Sequence, residues 1–322
     1  MTAVKMFAEG VKQQIRLYLP EEYQNVECKV TEQQKNNGMI KTGIIFQMSG
    51  QQLAPIVYME PFYDEVRKGK SMEQVMNDIA DVCQQSLSAQ EFPEILDFTD
   101  YDSIKEYLSV QIINTKANQR MLSMIPHREM EDLSVICRIE MPMREGEGTG
   151  SIKVTHELMS QWRVRPSEVY QKAVENAAKN SPPVLMSMNE VMAQIMGEPV
   201  EPRNLLDLVD GTDVSHEGLY VLTNPMKLNG SSVIAYPNIQ EQLESVLPQG
   251  FYLLPSSLHE MIIVPRDTEI SPKEMGEMVR DINQKEVDLD EILSDRIYEF
   301  DKEKRQLRQV PESIEKGKEM ER

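Results

Sequence analysis

Between Val26 and Met59 the sequence sets three strand-length runs so close together that they can pair only antiparallel. Val26 to Val30 alternates as a strand, Asn36-Asn37-Gly38 signals a turn, and Met39 to Met48, with Ile44, Ile45 and Phe46, supplies the partner. Ser49-Gly50 turns again into Leu53 to Met59. A parallel pair would need a crossover of about a dozen residues or more, and these connections are shorter. Helices flank this meander. Residues 2–19 carry Val4, Phe7, Ala8, Val11, Ile15 and Tyr18 at spacings of three and four, one apolar stripe that Pro20 ends. After Gly69, Ser71 can cap a helix with Met72, Val75, Met76, Ile79, Val82 and Cys83 on its inner face.

The same alternation of hairpin and helix recurs downstream. Asp100 to Leu108 reads as a short helix and Val110 to Ile113 as a strand. Leu133 to Met141 alternates inward Leu133, Val135, Cys137 and Ile139 with outward Ser134, Arg138 and Glu140, and Gly146-Glu147-Gly148-Thr149-Gly150 turns it into Ser151 to Thr155. His156 to Trp162 and Pro166 to Lys179 are helical. Pro199, Pro202, Asp207, Asp210 and Asp213 mark residues 197–217 as a surface linker, dividing an N-terminal α+β domain, 1–196, from a C-terminal one, 218–322. In the latter, strands at Leu219 to Thr223, Ser232 to Tyr236, Phe251 to Leu254 and Met261 to Val264, with a helix from Pro237 to Leu247, give the order β-β-α-β-β. A helix from Ser271-Pro272 and a hairpin of Arg296 to Phe300 with Arg305 to Arg308 close it. The fold class is α+β: antiparallel sheets with helices packed on them, in hairpin-helix units.

Charge and composition bound the function. The 322 residues hold 34 Lys and Arg against 53 Asp and Glu, a net charge of −19, which argues against direct nucleic-acid binding because backbone phosphates are met by clustered cations. Residues 281–303 alone carry 9 acids against 3 bases. Methionine is in excess, 22 against 7 Phe and 1 Trp, so thioethers fill much of the core and leave adaptable surface elsewhere. The apolar runs, such as Met261 to Val264, are far shorter than the roughly 18 residues of a membrane span. No signal peptide is legible, and Cys28, Cys83 and Cys137 are odd in number and far apart, as expected of reduced thiols in a cytoplasmic protein.

Catalytic patterns fail on spacing. His156-Glu157, His216-Glu217 and His259-Glu260 lack the second His, four residues on, that a zinc-binding helix needs. Asp207, Asp210 and Asp213 lack the alternation of a calcium loop, and the Gly146–Gly150 segment joins strands and carries glutamates, unlike a phosphate cradle. Neither cofactor nor metal is expected. Ser256, Ser257 and His259 lie close together without a nucleophile elbow. The connection through Asn224, Pro225, Met226, Lys227, Leu228 and Asn229, continuing to Tyr236-Pro237-Asn238, is longer than a simple turn and rich in hydrogen-bonding groups. The candidate binding residues are Asn224, Lys227, Asn229, Tyr236, Asn238, Ser256, Ser257 and His259.

The stretch Gly218-Leu219-Tyr220-Val221-Leu222-Thr223-Asn224, through Asn229-Gly230-Ser231-Ser232-Val233-Ile234-Ala235-Tyr236-Pro237 and on to Gly250 to Glu260, resembles an uncharacterised gut-bacterial family, domain of unknown function 5688. The resemblance covers nearly the whole chain. It implies no activity and no catalytic residues, and it suggests an accessory protein carried on mobile elements. The expected function is non-catalytic binding of a protein partner, or regulation, with methionine-rich surfaces repacking against the partner. One alternative is a hydrolase or small-ligand enzyme centred on Asn224, Lys227, Ser256 and His259. Another is an acidic mimic of nucleic acid that binds a basic protein.

Overall fold

The computed structural model describes residues 2–49, 54–88, 97–141, 150–199, 203–208, 218–301 and 303–311. The chain divides into two compact units, Met1–Leu96 with Met141–Gly150, and Asp97–Glu140 with Ser151–Arg322.

The smaller unit is the expected meander with its helices. Helix α1, Ala3–Gln14, starts where the Thr2 hydroxyl accepts from the Lys5 N–H. Strands β1, Glu27–Gln34, β2, Ile40–Gln47, and β3, Ile56–Tyr58, form an antiparallel sheet in that order, with Val30 opposite Ile44 and Ile44 opposite Val57. Helix α2 spans Glu60–Arg67 and α3 Met72–Ser88. The core joins Val11, Ile15, Ile44, Phe46, Met59, Met76 and Ile79. Two inner-face expectations are corrected, since Met72 and Val82 are exposed. At about 100° per residue, Val82 falls roughly a quarter turn or more from the centre of the buried arc, and Met72 opens the first turn, at the helix end.

The larger unit holds helix α4, Tyr101–Ile104, capped by Asp100, strand β4, Leu108–Asn114, helix α5, Gln119–Leu122, and strands β5, His127–Met130, β6, Leu133–Met141, and β7, Gly150–Lys153. The sheet runs β4-β6-β5, with β7 also on β6. Residues 146–149 of the glycine-rich turn lie outside the described residues. Strand β6 keeps the expected alternation only toward its end, where Arg138 and Glu140 are half-buried; Ser134, expected outward, is enclosed and its hydroxyl meets that of Thr115 at 2.8 Å. Helices α6, His156–Trp162, and α7, Pro166–Asn180, follow, and α7 packs on β4.

A second, six-stranded antiparallel sheet is built from β8, Val184–Ser187, β9, Tyr220–Thr223, β10, Phe251–Pro255, β11, Met261–Pro265, β12, Tyr298–Asp301, and β13, Gln306–Gln309. Its order is β13-β12-β10-β11-β9-β8. Helices α8, Met188–Ile195, α9, Ile239–Val246, and α10, Pro272–Lys285, complete the unit, and both α8 and α10 open with capping boxes, at Ser187 with Glu190 and at Ser271 with Glu274. Pairing of β8 with β9 joins residues on either side of 197–217. Within that stretch Asn204 accepts from the Leu185 N–H at 2.9 Å and donates to the Pro183 carbonyl at 3.1 Å, and Leu205 is buried, so 203–208 packs on the fold instead of running free. Asp210, Asp213 and His216 lie outside the described residues.

The strand expected at Ser232 to Tyr236 is a 3-10 helix, Gly230–Ala235, so the order β-β-α-β-β does not form. Polar anchors hold it: the Ser231 hydroxyl donates to the Ser257 carbonyl at 2.6 Å, and the Ser232 hydroxyl accepts from the Ile112 N–H at 3.1 Å. Val233 and Ile234 are buried as well, and a short apolar run enclosed on every side has no period by which strand and helix can be told apart.

Candidate functional site

The eight candidate residues all fall in the larger unit but not in one place. Asn224 is a loop staple. Buried after β9, it donates from Nδ2 to the Leu228 carbonyl at 2.9 Å and accepts the Leu228 N–H at 3.3 Å. The loop it closes places Lys227 and Asn229 in the left-handed region, with φ of 50° and 52°, and Lys227 Nζ reaches Gln194 at the surface at 3.3 Å.

Asn229 and His259 are brought together. The Asn229 N–H donates to His259 Nδ1 at 3.1 Å, which leaves the ring proton on Nε2, facing Glu291 Oε1 at 3.3 Å. Both ring nitrogens are thus engaged. The chain of hydrogen bonds continues inward: Gln111 Nε2 donates to Asn229 Oδ1 at 2.9 Å, and Arg138 Nη1 to Gln111 Oε1 at 2.8 Å. Burial lowers the Arg138 pKa from its ordinary value. Ser257 serves the same scaffold, its hydroxyl accepting the His259 N–H at 3.0 Å. The cluster therefore orders three backbone segments, with the imidazole as a bridge and not as a base for Ser256, whose hydroxyl turns toward Glu260 Oε1 at 3.5 Å.

Ser256 and Glu260 lie instead on an apolar groove of about 250 Å³. Register makes its floor: Leu254 stands opposite Ile262 on one face of β10 and β11. Helix α10 supplies one wall with Met275, Met278 and Ile282, and Met188 of α8 reaches the other side. Helix α8 buries none of its residues. From Met188 its apolar stripe runs at helical spacing through Met192 to Ile195 and Met196, and the last two are 74% and 65% exposed. Met278 and Ile282 of α10 are 40% and 39% exposed. Among the described residues Glu260 is the one charged side chain in the groove lining.

Tyr236 and Asn238 line a separate cavity of about 390 Å³ beside the start of α9. Burial raises the Tyr236 phenol well above its usual range. Asn224, Lys227, Ser256 and His259 thus face four different surroundings. Sequence reasoning missed Gln111 and Arg138, which β4 and β6 bring to Asn229, and the groove residues Met278 and Ile282; for the latter the signal was present in the methionine excess and in the stripe of α10. Among the described residues no three His, Cys, Asp or Glu side chains converge as a metal site would require, and no helix is long and apolar enough to cross a membrane.

The thiols yield a pH prediction. Burial pushes Cys83 and Cys137 from 9.0 up to about 12. A pKa raised in the folded state gives stability that is complete below 9.0 and declines as pH rises toward about 12, because only the unfolded chain ionises in that window. The urea midpoint, read from the fluorescence of buried Trp162, is expected to fall between pH 9.0 and about 11, and less steeply in Cys137→Ala. A slope identical in the variant would refute the assignment.

A family model described as a family of unknown function (DUF5688) matches residues 4–302. No curated protein and no solved structure matches the chain.

Proposed function

The chain belongs to the family of unknown function DUF5688, and from that premise we propose that it is a non-catalytic binding protein that receives an amphipathic, basic helix of a partner protein in the groove between α8 and α10. The observation that carries this reading is the helix α8 itself, which fully buries no residue and, beyond half-buried Met188, leaves Met192, Ile195 and Met196 exposed. Single exposed apolar residues need no explanation, but a stripe continuous with a lined groove is the anatomy of an interaction site. Methionine suits it, being unbranched and polarizable and so able to repack around different shapes. Charge selects the partner: Glu260 lies in the lining, and the 281–303 segment that begins within α10 has 9 acids against 3 bases. A helix with apolar anchors at i, i+3, i+4 and i+7 and lysines on its flanks matches both features.

The test uses two designed helices, one of Leu and Lys and one of Leu and Glu, titrated against the full chain by fluorescence anisotropy. The Leu/Lys helix is expected to bind, and the double variant Met278→Lys/Ile282→Lys to weaken it by at least about tenfold, since two partly exposed anchors become cations facing cations. Equal binding of the two helices, or undiminished binding by the variant, would sink the proposal.

A further inference from the structure

The larger unit holds another cavity, of about 930 Å³, where α7 leaves β5 uncovered. Its origin lies in strand register. Arg128 on β5 stands opposite Val135 on β6, on the sheet face that also carries Cys137 and, through its pairing, Val110 of β4. Helix α7 packs over β4 and presents Val169, Tyr170 and Val174 to the open strip beyond it. Val135 and Cys137 form the floor, and Pro126 and Met159 complete apolar walls. The volume falls in the range of about 300–1,000 Å³ typical of small-molecule sites, with an apolar body and few polar groups.

Polar side chains line it as well, among them Ser167, Gln171 and Glu175 of α7. The Arg128 guanidinium lies over the Tyr170 ring at 5.3 Å, which orients its planar fork, and His127 and His156 stand in the same lining. Among the described residues Arg128 has no carboxylate partner. Arg128, Val135, Tyr170 and Ala235 also line the cavity of about 390 Å³ that holds Tyr236 and Asn238, so the two spaces adjoin at the arginine. Glu129 and Glu131 line the smaller space together with Glu241, which is paired with Arg305 at 2.7 Å, and Glu175 lines the larger, where its Oε1 accepts from Gln171 at 2.9 Å; this surplus of carboxylates disfavours a dianionic head group, while a single carboxylate is matched by one bidentate guanidinium.

We propose that this cavity binds a small amphiphilic monocarboxylate, its apolar body between α7 and β6 and its carboxylate on Arg128. Cys137 takes no covalent part, because its thiol, pushed up to about 12, stays protonated at neutral pH.

Dansyl-undecanoic acid and its methyl ester serve as probes of the full chain, with dansyl fluorescence as the readout. The acid is expected to bind about tenfold more tightly than the ester, the order of one charge-assisted hydrogen-bonded pair. Arg128→Gln, at an exposed position, should abolish that difference, and Ser167→Trp, at an exposed position of the lining, should weaken both probes. Equal binding of acid and ester by the natural protein overturns the proposal, as does a preference that survives Arg128→Gln or full binding by Ser167→Trp. Loss of binding in Met278→Lys/Ile282→Lys would place the probe in the α8–α10 groove and overturn it too, whereas retained binding there leaves this site standing whatever becomes of the groove.

Discussion

Replacing Gly230 by alanine is expected to cost about 3 kcal/mol or more and to dislodge the loop that carries Asn229. A Cβ at this position would fall well inside van der Waals contact of both Thr223 Oγ1 and the His259 carbonyl oxygen, and 3.0 Å from the Asn224 N. The first two atoms are themselves hydrogen-bonded, Thr223 donating to His259 at 2.7 Å, so the methyl group would land on that bond. Two of the three obstacles are backbone and cannot swing aside. Relief requires moving the 3-10 helix away from β9 and β11, which breaks the Ser231–Ser257 and Asn229–His259 hydrogen bonds together. Gly10→Ala is the matched control: Gly10 sits within α1 with nothing inside 4 Å of the new methyl, so there alanine should stabilise by up to about 1 kcal/mol. Denaturant unfolding of both variants decides the matter, and a Gly230→Ala protein as stable as the natural chain would contradict the close approach.

The second large effect is expected at Asp132, in the turn between β5 and β6. Its Oδ1 accepts from the Tyr298 hydroxyl at 2.6 Å and from Gln309 Nε2 at 2.9 Å, and its Oδ2 accepts from the Ser294 hydroxyl at 2.8 Å. One carboxylate thus ties the four-stranded sheet to β12, to β13 and to the segment before them. Tyr298 and Ser294 are buried, and burial, reinforced by Asp132, raises the Tyr298 phenol far above its usual range. Asp132→Ala leaves those donors without this acceptor, at a cost of about 3 kcal/mol. Asp132→Asn should cost less, since the amide oxygen still accepts. Chemical denaturation that ranks the asparagine variant below the alanine one would refute this account.

Much of the fold was legible because local signals agreed with one another. The first meander needed only its turn signals and short connections, α3 and α10 needed only their serine caps and helical sequence, and α7 was marked by the proline of its first turn. The failures share a cause. Most of Ser232 to Tyr236 and the Ser134 end of β6 are enclosed by distant chain, so little solvent-facing contrast remained in the sequence to mark them. The candidate site followed the same division. An asparagine-rich loop was recognisable as unusual, and His259 does meet Asn229, but whether that meeting is chemistry or scaffolding depends on what occupies the other ring nitrogen. That group is Glu291, more than thirty residues away.

By itself the sequence determined what the chain's elements are and what they are made of: an acidic α+β protein whose methionines exceed its aromatics, with no pattern that spaces residues for a known reaction. Those properties depend on neighbours within a turn or a hairpin, over which spacing alone fixes which side chains share a face. Tertiary structure decided which faces stay uncovered. The stripe of α8 and the space beneath α7 exist because α8 lies on β8 and β9 without fully burying any residue and α7 packs mainly on β4, and burial is a property of the whole fold that no local window of the sequence contains.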